Sequence, residues 1–172
     1  VLDVCTGGEQ PASHYQPDKL IEKFDALKTH FTAGEFYEKM LYYRLLLDYY
    51  TIRRDIKDGQ GNYSLILKGL KDDNDKLKQY QSMLYVSTEA FYNWLKPYLR
   101  KLEQDELQSC AEMLAFLKKE DNERHGVLPA RKDLSYKASG NIRYWFWRLD
   151  YYLWEQRSTF FNEEEQKIVE HY

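Results

Sequence analysis

Nearly every residue from Arg143 to Trp154 is aromatic or leucine, and the exceptions, Arg143, Arg148 and Asp150, are all charged. Read at the helical period, Ile142, Trp145, Phe146, Leu149 and Leu153 make one apolar stripe, and Tyr144, Trp147, Tyr151 and Trp154 make a second. Charges separate them: Arg143 and Asp150 share one gap, Arg148 and Glu155 the other. The pattern predicts a helix buried on two sides, lying between layers of a larger assembly. It offers architecture and no active-site chemistry.

A chain of 172 residues is one domain or two small ones and can bury a real core; the pattern along it reads as a single helical domain over residues 1–172. Its net charge of -3 argues against a dedicated basic nucleic-acid module, although a local basic patch is compatible with it. Sixteen tyrosines supply much of the expected burial, and their hydroxyls call for polar partners at core edges. Cys5 and Cys110 have no metal or redox spacing, so a reducing, cytoplasmic setting is expected, and no apolar run approaches a membrane span. The start at Val1, running straight into Leu2-Asp3-Val4-Cys5, resembles the tail of an interrupted element and suggests a fragment of a larger protein.

Asp18 is placed to cap a first helix reaching Phe31, with Leu20, Phe24, Leu27 and Phe31 on one face. Gly34 opens a longer helix to about Arg54, stepping through Phe36, Met40, Tyr43, Leu47 and Tyr50. Tyr42, Leu45, Leu46 and Tyr49 make its other sides apolar as well, which predicts a central element. Arg44 and Asp48, one turn apart on its most polar side, read as an internal structural ion pair. Between Asp55 and Gly69 the alternation of Tyr63, Leu65 and Leu67 with Ser64 and Ile66 predicts one short extended segment.

Further helices follow from about Asp72 to Val86, with Leu77, Tyr80 and Leu84 inward, and from a Ser87 or Thr88 cap through Leu102, where Pro97 must kink or restart the helix. Asp105 and Gln108 resemble a capping box for the next, with Leu107, Cys110, Ala111, Leu114 and Leu117 inward. A loop at Asn122–Gly140 then precedes the aromatic helix. Asn162 is placed to cap a final helix rich in early glutamates. The expected fold is all-α, a bundle of about six to seven helices with at most one extended segment. Its most buried helices should be those starting near Gly34 and Gly140, with Leu47 and Phe146 in the core.

Chemistry is sparse. His14, His30, His125 and His171 have no His or Cys neighbour at ligand spacing, so neither a metal nor another cofactor is expected. Glu163, Glu164 and Glu165 point around a helix rather than converging, and Gly59-Gln60-Gly61 reads as a turn, not a phosphate loop. No serine or cysteine has a base at hand, which leaves no catalytic residue to name. Arg124, Arg131, Lys132 and Lys137 cluster in the loop before the aromatic helix, either as a solvated connector or as contacts to a DNA backbone.

Three segments, Met40–Arg54, Gln81–Ser87 followed by Trp94-Leu95, and Tyr144–Trp154, resemble in that order the helical region of GmrSD-like restriction proteins. In that family a ParB-like nucleotide-hydrolysing domain precedes the helical region and an HNH nuclease domain follows it. Its better-known members cleave DNA carrying modified cytosines, as phage defence. The resemblance covers most of residues 36–154 and implies a non-catalytic region whose partners are the other domains of its own protein. Val169-Glu170-His171 has the hydrophobic residue, acid and histidine that open the family's nuclease motif, but the sequence reaches Tyr172 before a proline. His171 therefore either opens that motif or belongs to a connecting element. The alternative from another class is a free-standing helical protein-interaction domain, without membrane attachment in either case.

Overall fold

The computed structural model describes residues 31–56, 63–68, 75–87, 91–130 and 141–170, together with Lys19, Ile21, Glu22, Asp25 and Leu134. Among these residues there are seven helices: α1 (Ala33–Tyr50), α2 (Asp75–Val86), α3 (Phe91–Glu103), α4 (Cys110–His125), α5 (Asn141–Glu155), α6 (Arg157–Phe160) and α7 (Glu163–Glu170). The fold is all-α in character, as the periodicity predicts. Lys19, Ile21, Glu22 and Asp25 are helical, and the rest of the expected first helix lies outside the described residues.

The chain forms two compact units, one of Val1–Lys71 with Leu95–Gln108 and the other of Asp72–Trp94 with Ser109–Tyr172. No shift in composition marks these boundaries, one of which passes through α3.

In the first unit, Thr32 starts α1 with a capping box. Its Oγ1 accepts from the Glu35 N–H at 3.2 Å, and the Glu35 carboxylate accepts from the Thr32 N–H at 2.8 Å. The Thr32 N–H, and with it the Thr32 hydroxyl that donates to the same carboxylate at 2.8 Å, hold the exposed Glu35 carboxyl below its ordinary pKa. The helix stops at Tyr50, earlier than the Arg54 that periodicity suggests, because Thr51 turns extended and its hydroxyl donates to the Leu47 carbonyl at 2.7 Å. Arg53–Ile56 (β1) then pairs antiparallel with Tyr63–Ile66 (β2), Arg53 opposite Ile66 and Ile56 opposite Tyr63. The extended segment expected at Tyr63 is thus one arm of a hairpin whose other arm looked like the end of a helix. The β-branched pair Thr51-Ile52 favours extended backbone there, and the second strand stabilises it.

Among the described residues of this unit, Tyr43, Leu46, Ile52, Tyr98, Leu99 and Leu102 are the buried apolar side chains. The Tyr43 hydroxyl donates to the Glu103 carboxylate, and the Tyr98 hydroxyl donates to the Tyr50 carbonyl at 3.1 Å. These tie the later turns of α3 to α1. Asp105 begins no helix. With φ 58° it closes α3 in a left-handed cap in which Glu106 N–H reaches the Lys101 carbonyl at 3.2 Å and Asp105 N–H the Leu102 carbonyl at 3.2 Å. The capping box for α4 lies four residues on, between Ser109 and Glu112.

The second unit centres on α2, packed against α4 and α5. Leu77, Tyr80, Gln81, Met83 and Leu84 of α2 are buried, including the three residues that the periodicity turns inward. On α4 the inward row is Met113, Leu117 and Asp121. Leu114 and Cys110 sit at its edge, whereas Ala111 is exposed and Leu107 precedes the helix. Gly126, at φ 81° where a Cβ would be strained, ends α4. Asn162 caps α7 as expected, its Oδ1 accepting from the N–H groups of Glu164 and Glu165 at 3.0 Å.

The helices expected to be most buried are not. Tyr37, Leu41, Tyr42, Leu45 and Tyr49 of α1 are exposed, and so are Phe146, Trp147, Leu149 and Tyr152 of α5. Leu47 is half-buried. An apolar pattern on every side cannot say which side the core occupies, and α1 and α5 each bury one face only. Leu84→Ala should therefore cost about 2 to 5 kcal/mol by leaving a cavity, whereas Phe146→Ala, at a site 59% exposed, should cost about 0.5 kcal/mol or less. Urea midpoints of the two variants check this; equal losses would place Phe146 in the core.

Candidate functional site

The face that α5 turns inward carries charge. Asp121 of α4 is 1% exposed, and its Oδ2 accepts from the Tyr80 hydroxyl of α2 at 2.7 Å and from the Tyr144 hydroxyl of α5 at 2.8 Å. Arg148 approaches the same oxygen at 3.7 Å. Its guanidinium donates to the Gly126 carbonyl and the Tyr144 hydroxyl, each at 2.8 Å, and also to Asn122 Oδ1. It lies over the Trp145 ring at 5.0 Å, while the His125 ring stacks on Tyr144 with centroids 4.3 Å apart. Asp121 Oδ1 is buried without a hydrogen-bond partner among the described residues.

A second cluster joins the same three helices. Lys118 Nζ contacts both Glu155 carboxylate oxygens at 2.6 and 2.8 Å, and the Tyr151 hydroxyl donates to Glu155 at 3.1 Å. The rings of Tyr80 and Tyr151 meet edge to face at 4.9 Å, and Lys118 lies over the Tyr151 ring at 5.2 Å. Tyr80 and Tyr144 are held well above the ordinary phenol pKa of 10.0, first by burial and then by the Asp121 charge. Tyr151 is raised by burial and by Glu155. Phenols held protonated in this way are donors to carboxylates, not bases or nucleophiles. With Asp121 out of reach of solvent, the constellation is a clamp among α2, α4 and α5.

The expected basic cluster is only partly within the described residues, since Arg131, Lys132 and Lys137 lie outside them. Arg124 stands on the last turn of α4, and its guanidinium donates to the Asn93 carbonyl of α3. Pro97 accounts for that bond. Lacking an N–H, it cannot give the carbonyl four residues before it, that of Asn93, the usual helical bond. Arg124 supplies a replacement, and α3 runs through Pro97 as one helix. Arg44 and Asp48 do pair, at 3.0 Å, with Arg53 joining at 3.7 Å, but the Arg44 side chain is 67% exposed, so the pair sits on the surface rather than inside.

His14, His30 and His171 lie outside the described residues. Among the described residues no three His, Cys, Asp or Glu side chains converge as metal ligands, and no helix is long and apolar enough to cross a membrane. The Asp121 clamp is not legible in the sequence because its members are scattered from Tyr80 to Arg148. Its one local signal was the abundance of tyrosines in need of partners. No family model, curated protein or solved structure matches the chain.

Removing Asp121 leaves the Tyr80 and Tyr144 hydroxyls without their acceptor and Arg148 without its counter-charge, so Asp121→Ala should cost about 3 to 5 kcal/mol. The raised phenols also couple folding to alkali. An unfolded tyrosine ionises near pH 10.0 while the folded ones keep their protons, so their stabilising contribution is complete below that pH and is lost as pH rises above it. Urea midpoints measured between about pH 9 and pH 11 should fall steeply in the wild type, and less so in Tyr80→Phe. Equal slopes would separate Tyr80 from the effect.

Proposed function

We propose that this chain is a non-catalytic helical region of a DNA-restriction endonuclease, coupling an upstream nucleotide-hydrolysing domain to a downstream HNH nuclease domain. The observation that carries the reading is the outer face of α1. Tyr37, Leu41, Leu45 and Tyr49 recur at every fourth residue there, and all are exposed. The ladder overlaps Met40–Arg54, the first segment that resembles the restriction proteins. A face of this kind suits a neighbouring domain of the same polypeptide, because a covalent link raises the local concentration and a modest interface then suffices. The clamp supports the role by holding three helices in one arrangement.

DNA enters this reading as a minor partner of the backbone type. Arg131, Lys132 and Lys137 are its candidate contacts, and Arg124 is already engaged by Asn93. Few released counterions make such binding weak, indifferent to sequence and lost as salt rises.

In cells carrying the whole protein, Leu41→Glu with Leu45→Glu should abolish restriction of phage DNA with modified cytosines. The same pair should leave the thermal midpoint of the isolated chain nearly unchanged, since both sites are exposed. The isolated chain given GTP or ATP, plain or modified DNA and divalent metal should show no turnover. Restriction that survives the double variant, or metal-dependent cleavage that survives repurification, overturns the reading. A free-standing interaction domain would use the same ladder, and is favoured instead if translation stops directly after Tyr172 rather than continuing into an acid-His-x-x-Pro motif.

A further inference from the structure

The outward face of α5 reads the same from both ends. Ile142, Phe146, Leu149 and Leu153 are spaced by four, three and four residues, which places them in one stripe along the helix. Phe146 is 59% and Leu149 49% exposed, and Ile142 and Leu153 are half-buried at the ends of the stripe. The stripe has a centre of symmetry between Trp147 and Arg148: a copy of the helix laid antiparallel on it sets Phe146 against the partner's Leu149 and Ile142 against the partner's Leu153.

The charges beside the stripe are disposed about a point one residue from that centre, between Phe146 and Trp147. Arg143 and Asp150 are seven residues apart, two turns along one flank, exposed and of opposite sign. Neither is paired among the described residues. When two helices pair antiparallel about a two-fold axis, each flank meets its own copy. Arg143 then falls within about one turn of the partner's Asp150, and by symmetry Asp150 faces the partner's Arg143. A parallel pair would instead bring this flank against the other, where Tyr152 offers no charge and Trp145 is buried.

We infer that the outer face of α5 is a self-complementary surface on which a second copy of this chain docks antiparallel, two Arg143–Asp150 pairs fixing the direction. The setting of Asp150 agrees, since partial burial holds its carboxyl above the ordinary value and no cation among the described residues pairs with it. A helix of 15 residues is only about 22 Å long, so the contact is smaller than a standard interface and the pair forms reversibly. The inference concerns α5 alone and does not depend on the coupling role assigned to α1.

Sedimentation velocity on the isolated chain tests it, with circular dichroism confirming that each variant folds. The wild type should shift from monomer towards dimer as its concentration is raised into the hundred-micromolar range. Arg143→Asp alone and Asp150→Arg alone each set like charges across the axis and should weaken association by roughly tenfold or more. An equimolar mixture of those two variants restores opposite charges at both contacts and should dimerise like the wild type. A wild type that stays monomeric throughout, or a mixture no tighter than its components, overturns the proposal. Dimerisation unaffected by either charge reversal overturns it too, because the pair would then be using another surface.

Discussion

Burying the Asp121 carboxylate is the constraint on which the second unit depends. A charge removed from water is costly unless it is neutralised and hydrogen-bonded, and this one takes two phenol donors and a guanidinium from two other helices. Its partners sit at Tyr80, Tyr144 and Arg148, so α2 and α5 can satisfy it only at one height along α4. A shift of either helix by one turn would strand the charge. The gain is therefore in specifying the arrangement more than in net stability, and Lys118 with Glu155 repeats the device about one turn away.

That polar clamp also explains why apolar side chains face outward. Residues of α5 that point into the cluster include Tyr144, Arg148, Tyr151 and Glu155, so the stripe of Phe146 and Leu149 is left on the far side. On α1, Tyr43 and Leu46 take the buried face and the ladder from Tyr37 to Tyr49 takes the opposite one. Each helix buries enough through a few tyrosines and leucines to hold its place. What remains outside is large, aromatic and ordered along a helix, the character of a surface made to be covered.

Arg124 and Pro97 show how a tertiary bond changes the meaning of a residue. Read locally, Arg124 belongs to a basic run that could meet phosphate, and Pro97 is a helix breaker. In the fold each answers the other, because the carbonyl that Pro97 deprives of a donor takes one from Arg124. Asp105 is similar. Its spacing from Gln108 suggests a helix start, whereas its left-handed conformation makes a helix end; an aspartate tolerates that conformation better than most residues do.

The amino-acid sequence by itself determined the helical class, the inward residues of α2, the Asn162 cap and the place of one extended arm, since all of these follow from periodicity and neighbours within a turn. It also contained the palindromic spacing on α5. Only the tertiary structure decided which side of α5 faces the core, burying Tyr144, Trp145 and Tyr151 from both stripes and leaving Phe146, Trp147 and Leu149 outside, because both stripes satisfy the helical period equally well. It likewise decided that the segment after Tyr50 becomes a strand, since a strand needs a partner that local pattern does not name. The Asp121 clamp was beyond local reading for the same reason: hydrogen bonds among Tyr80, Asp121, Tyr144 and Arg148 exist only once three helices meet.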